Sequence, residues 1–268
     1  MKTAFLVAML ALLAPAAARA DLYEPYAGVL QAYVDEHGMV DYAGLKANRT
    51  GLDAFVNSIA RLDSTGYNAW SGQQKLAFWI NAYNALTLTL VVDNHPIRPL
   101  AGREKYPANS IQQIPSPWSR PRFVVMGKKW SLDDIEHKVI RAKFHEPRVH
   151  MALVCAAMSC PPLRREPYRG EELDAQLDDQ GRRFFSDLAN LQIDREKNEV
   201  FASQILDWFV DDFAPGVIVE HGQLVGKRTA LVNAASPYVD ANTREYLQAG
   251  EFRLEYFDYN WALNEQTR

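Results

Sequence analysis

Leu76-Ala-Phe-Trp-Ile-Asn-Ala-Tyr-Asn-Ala-Leu-Thr-Leu-Thr-Leu-Val-Val92 is the stretch whose reading decides the fold. It is apolar nearly all round, so a helix made of it has no face suited to water. The run is shorter than the ~20 residues a membrane-spanning helix needs, and it carries Asn81, Asn84, Thr87 and Thr89. It therefore reads as the central buried helix of a globular domain. Ser71-Gly-Gln-Gln opens the helix, whose pattern runs over 75–92, and Asp93-Asn-His-Pro ends it.

On the N-terminal side, residues 22–34 and 52–62 have amphipathic helical spacing, the first closed by His37-Gly38. On the C-terminal side, residues 96–121 are rich in Pro, Ser and Arg and read as a long irregular surface loop, the kind that often carries function. Residues 123–126 and 129–132 flank Gly127-Lys128 as a hairpin. Ser131 with Asp134 forms a capping-box pattern ahead of a helix carrying Ile135, Val139 and Ile140. Residues 149–154 are short and apolar, as in a buried strand, and Pro161-Pro162 ends the segment that contains Cys160. A helix over 171–188, a hairpin of 191–193 with 199–201, a helix from Ser203 stopped at Pro215-Gly216, two further helical stretches and a strand over 252–257 complete the chain. Helices dominate and most strands are hairpin-linked, without the βαβ alternation of a doubly wound sheet. The fold class is α+β: one helix-rich domain around a small, mostly antiparallel sheet.

The first 20 residues have a signal peptide's three parts. These are Lys2, an apolar run over 4–13, and Ala18-Arg19-Ala20 after the helix-breaking Pro15. Cleavage before Asp21 leaves a single domain over 21–268, periplasmic or secreted, with no stable membrane span. Removing Lys2 and Arg19 takes the formal charge from −4 to −6, and no basic run offers a footprint for nucleic acid. The only cysteines are Cys155 and Cys160. A lone close pair in an exported chain reads as a disulfide. A bridge at this separation does not fit a regular helix but does fit a strand end running into a turn.

Three constellations are candidates for chemistry. Asn81 and Asn84 share one helix face beside Tyr83. They either hold neighbouring loops through their amides or line a polar pocket. Glu136-His137 lies near a helix start, where the dipole favours a carboxylate, although neighbours on an α-helix point about 100° apart. Third, His150, Cys155, Ser159 and Cys160 fall within a dozen residues. A thiolate needs such a histidine to react at neutral pH, but i, i+5 on a strand faces opposite ways. No HExxH spacing or other local metal-ligand pattern is present, and no cofactor is expected.

These segments resemble the signature of the domain-of-unknown-function 547 family of bacteria and plants. The resemblance is carried by Phe78-Trp-Ile-Asn-Ala-Tyr-Asn-Ala-Leu86, Leu132-Asp-Asp-Ile-Glu-His137, Val149-His-Met-Ala-Leu153 and Cys155-Ala-Ala-Met-Ser-Cys-Pro-Pro-Leu163. Tyr256-Phe-Asp-Tyr-Asn-Trp-Ala-Leu-Asn264 extends it to the C-terminus, with Tyr259-Asn260-Trp261 where the family more usually has Tyr-Asp-Trp. It implies a single domain, often exported in bacteria, and supplies no reaction. It does direct attention to Asn81, Asn84, Glu136, His137, His150 and Cys160 as more than packing.

Two functions fit these residues. In one, a Cys/His-dependent hydrolase or acyl transferase uses Cys160 as nucleophile and His150 or His137 as base. Glu136 orients the imidazole and an Asn amide of the long helix binds the oxyanion. In the other, a non-catalytic module stapled by a Cys155–Cys160 disulfide binds a small-molecule or protein ligand. A metal held by His137, His150 and a carboxylate is a variant of the first. All four polar groups, Asn81, Glu136, His137 and His150, adjoin apolar runs, so one shared network beside the cysteine turn is expected.

Overall fold

A computed structural model describes residues 21–120, 122–215 and 223–267 of the 268-residue chain. The signal-peptide reading of residues 1–20 lies outside the described residues.

The central apolar run forms α5, Gly72–Asn94. Ser71 Oγ accepts from Gln74 N–H at 3.1 Å while the Gln74 side chain accepts from Ser71 N–H at 3.0 Å, a closed capping box. Every residue from Leu76 to Val92 is buried. By length and composition α5 would cross a membrane, yet 94% of its apolar window is buried inside the protein. Thr87 and Thr89 satisfy their hydroxyls on the carbonyls of Tyr83 and Ala85, one turn back.

Around it pack α1 (Glu24–Tyr33), α2 (Tyr42–Ala47), α3 (Thr50–Arg61) and α4 (Ser64–Asn68). Leu52, Phe55 and Ile59 form the buried stripe of α3, with Phe55 stacked on Tyr26 at 4.8 Å. The hairpin β1 (Phe123–Val125) and β2 (Lys128–Trp130) turns at Met126-Gly127, both at positive φ. The N–H groups of this turn donate to the Ile59 and Ala60 carbonyls near the end of α3. The 96–121 segment is less of a surface loop than its composition implies. Ser110, Ile111, Gln112, Gln113 and Ile114 are buried, and the Gln113 amide gathers the Arg103, Tyr106 and Pro107 carbonyls while accepting from Leu100 N–H.

Ser131 and Asp134 do form the reciprocal cap. The helix they open becomes a π-helix over Asp134–Arg141, ending in one α turn, α6 (Ala142–Phe144). The expected strand at 149–154 is absent. A 3₁₀ turn, Pro147–Met151, begins there with Pro147 in its first position and Glu146 accepting from Arg148 N–H, and the chain beyond it is irregular. The run is apolar because it is buried, and a short apolar run does not by itself distinguish a strand from other buried chain.

A second core is built around Met151, Phe184, Leu206, Leu231 and Phe252. It comprises α7 (Leu173–Ser186), β3 (Leu191–Asp194), β4 (Glu199–Ala202), α8 (Gln204–Trp208), α9 (Val210–Phe213), α10 (Gln223–Ala235), α11 (Ala241–Ala249) and β5 (Arg253–Tyr256). The sheet order is β3-β4-β5; β3 and β4 are antiparallel, whereas β5 lies parallel to β4 after a helical crossover that the hairpin-dominated pattern did not announce. The fold is α+β, as expected. The helix expected from Ser203 onward breaks at Phe209, between α8 and α9. Beyond β5 the chain returns across the first core. There Ala157 bridges Leu263, and Tyr42 donates to Asn264 Oδ1 at 2.7 Å.

Candidate functional site

Between the two cores lies a pocket of about 200 Å³. One wall is Tyr83 of α5, Trp118, and Asp133, Glu136 and His137 from the capped helix. The last two come from the π-helical segment, whose i→i+5 winding puts more residues into each turn and so only slightly narrows the ~100° divergence of α-helical neighbours. The floor is His150, Leu153, Cys155 and Cys160, and the opposite wall is Ile205, Trp208, Phe209, Tyr259 and Trp261.

Cys155 and Cys160 are disulfide-bonded, and no free cysteine remains among the described residues. With no strand here, the objection that His150 and Cys155 face opposite ways disappears, and both line the pocket. The Tyr259 hydroxyl lies 3.2 Å from both sulfurs, and Cys155 N–H donates to Cys160 Sγ at 3.0 Å.

His150 is 3% exposed. Its ring stacks on Phe209 at 3.8 Å between centroids, and its Nε2 lies 2.7 Å from Asp212 Oδ2. A carboxylate only accepts, so the His150 proton sits on Nε2. Arg141 closes on the same carboxylate through Nε at 2.6 Å and Nη2 at 3.0 Å, and its Nη1 donates to His137 Nδ1 at 2.8 Å. A guanidinium has no acceptor, so His137 carries its proton on Nε2. Burial opposes the charge on Asp212, but hydrogen bonds from His150 and Arg141, reinforced by their charges, hold its carboxyl well below the usual carboxylate range. The break at Phe209 makes this possible, because it sets the ring of Phe209 on His150 and lets α9 present Asp212 to the imidazole.

Glu136 faces two phenols. Burial first, and then the Glu136 charge, push Tyr83 and Tyr259 above their ordinary range, and Glu136 also accepts a hydrogen bond from Tyr83. Burial likewise raises Asp133, against the opposing influence of His137.

Of the candidates read from sequence, the structure brings together Tyr83, Glu136, His137, His150, Cys155 and Cys160. It places Asn81, Asn84 and Ser159 elsewhere. Asn81 donates to Tyr168 O at 2.8 Å and accepts from Tyr168 N–H at 2.9 Å. Asn84 donates to Ala152 O and accepts from Val154 N–H, both at 2.9 Å. Both amides clamp backbone, and neither lines the pocket. Ser159 Oγ accepts from Asn260 N–H at 2.9 Å and lines a different cleft of about 360 Å³, behind the cysteine turn. Sequence reasoning missed Arg141, Asp212, Trp118 and Trp208. Only Arg141, one turn after His137, left a trace in spacing.

Residues 67–185 match the family model described as "Protein of unknown function, DUF547". Over that span the chain is similar to the DUF547 family. The match holds Tyr83, Trp118, Asp133, Glu136, His137, His150 and both cysteines, whereas Trp208, Asp212, Tyr259 and Trp261 lie beyond it. The C-terminal likeness at 256–264 therefore falls outside the matched residues. Neither the curated proteins nor the solved structures contain a match to this chain.

Proposed function

We propose that this protein, similar over residues 67–185 to the DUF547 family, is an exported, periplasmic or secreted binding module that takes a small molecule in the aromatic pocket between its two cores. The observation that carries the reading is the bridged Cys155–Cys160 pair at the pocket floor. Sulfur held in a disulfide is neither a thiolate nucleophile nor a metal ligand. It leaves a preformed concavity walled by aromatic rings with a few polar groups, the ordinary composition of a ligand site. Asn81 and Asn84 lie outside the pocket, so the oxyanion role considered for them has no geometric support.

A second reading has its own observation. Arg141, Asp212 and His150 form a base-orienting chain beside the cysteines. With the bridge reduced, Cys160 as nucleophile, His150 as base and Asp212 as its orienting partner would make a hydrolase or acyl transferase. The metal variant has less support, because His150 Nε2 is taken by Asp212 and His137 Nδ1 by Arg141. Among the described residues no group of three or more His, Cys, Asp or Glu is arranged to hold an ion.

Thiol titration of the exported protein separates the readings. The binding module has no reactive thiol before reduction and two after it. It also shows tryptophan fluorescence changes with members of a small-molecule panel in the bridged form. Two reactive thiols in the native protein, with turnover of a thioester substrate, would replace it with the enzyme.

A further inference from the structure

The charges around the pocket assign a ligand class, on the reading that this pocket is a ligand site. We infer that it takes a small organic cation, an alkylated ammonium group seated among Trp118, Trp208, Tyr259 and Trp261 with Asp133 and Glu136 beside it.

No Lys or Arg is among the described residues that line the pocket. Two carboxylates do line it, Asp133 and Glu136, and neither is in an ion pair among the described residues. The Arg141 guanidinium lies over Phe209 with its carbon 5.0 Å from that ring, outside the pocket lining; its ion pair is with Asp212, and its charge reaches Glu136 only at longer range. The other acidic residue of the helix start, Asp134, is paired with Lys138. The pocket is thus left with two carboxylates that no ion pair among the described residues neutralises. A half-buried carboxylate without a paired countercharge costs free energy, and a bound cation would recover it.

The rings supply the second half of the argument. Tyr259 is tilted 46° to Trp208 and 52° to Trp261, with centroids 4.7 and 4.6 Å away, and Trp118 meets Trp261 at 64° and 5.8 Å. Aromatic faces are electron-rich and attract a cation that is too diffuse to hydrogen-bond. A flat sugar ring would instead prefer coplanar neighbours. Only Trp208 and Trp261 approach that, at 24°, and Tyr259 leans against both of them. Planes set at large angles surround a rounded head group better than a flat one.

The test uses the bridged protein and two probes of nearly the same shape, choline and its uncharged carbon isostere 3,3-dimethylbutan-1-ol, titrated by calorimetry and tryptophan fluorescence. Choline should bind at least about tenfold more tightly, a difference of about 1.4 kcal/mol. Glu136→Gln should weaken choline and not the isostere. Trp208→Ala, at a side chain 46% exposed, should lose choline with the fold intact by circular dichroism. Equal affinity for both probes would overturn the cation inference and leave a pocket that selects apolar shape. Binding of uncharged members of the panel with no response to choline would do the same. Silence toward the whole panel would remove the binding-module reading itself.

Discussion

The polar face of α5 and the pocket beside it handle buried polarity in opposite ways. Asn81 and Asn84 are almost wholly enclosed, and each spends both ends of its amide on the backbone of one neighbouring segment. Asp133 and Glu136 are half-buried, neither is in an ion pair among the described residues, and no Lys or Arg lines the pocket beside them. The first pair is fully satisfied by the chain, which is the signature of a framework. The second is left without a paired countercharge, which is the signature of a site. Membership in a motif does not separate the two, since Asn84 and Glu136 both sit in segments that carry the family resemblance. Whether the chain itself supplies the matching partner does: Asn84 has both ends of its amide met, and Glu136 has the Tyr83 hydroxyl but no ion pair among the described residues.

The comparison can be broken most sharply at Asn84. Asn84→Leu should orphan the Ala152 carbonyl and the Val154 N–H, at about 1–3 kcal/mol for each group. Urea unfolding of the purified variant measures this. A variant of unchanged stability that had lost only ligand binding would move Asn84 to the site side of the line. Replacing both cysteines by serine comes next. The closed loop is short, so the loop-entropy relation gives a loss of about 2 kcal/mol. Calorimetric melting of the double variant checks it, and no loss would mean that the turn is held by Asn260, Ala262 and Tyr259 alone.

Asp212→Asn should have the smallest effect, because the carboxylate is about a quarter exposed and solvent screens its pairs. The sign is fixed by the direction of its shift. A carboxyl depressed on folding contributes stability that is present above its unfolded value, about 3.9, and is lost as the pH falls through its lower folded value. The variant should therefore lie closest to the parent under strong acid and furthest from it near neutrality. A constant gap across the acid range would show that Asp212 matters for shape alone.

Much of the framework was legible from local signals: the buried helix from its apolar run, its start from Ser71 and Gln74, the hairpins from their turns. What failed was where tertiary partners decide. Residues 149–154 look like a strand because burial makes them apolar, and only Asn84, 70 positions away from Val154, supplies the partner that lets them remain irregular. The parallel β4–β5 pairing escaped for a related reason, since α8 to α11 intervene and no short spacing encodes it. At the site, Glu136, His137, His150 and the cysteines were found because they cluster in sequence. Asp212 was not, because Asp211-Asp212-Phe213 inside an amphipathic run looks like a solvated end until His150 is seen against it. Trp208 and Trp118 carried no pattern at all.

The π-helix over Asp134–Arg141 has a consequence for comparing relatives. Such a segment accommodates one residue more than an α-helix spanning the same turns. A relative shorter by one position here would not be missing a surface residue. It would have an α-helix where this chain has a wider coil, and the face that presents its glutamate and histidine would be rotated relative to the rest of the helix. A single gap in an alignment, which looks trivial on paper, would then mark the boundary between proteins that own this pocket and proteins that merely share its scaffold.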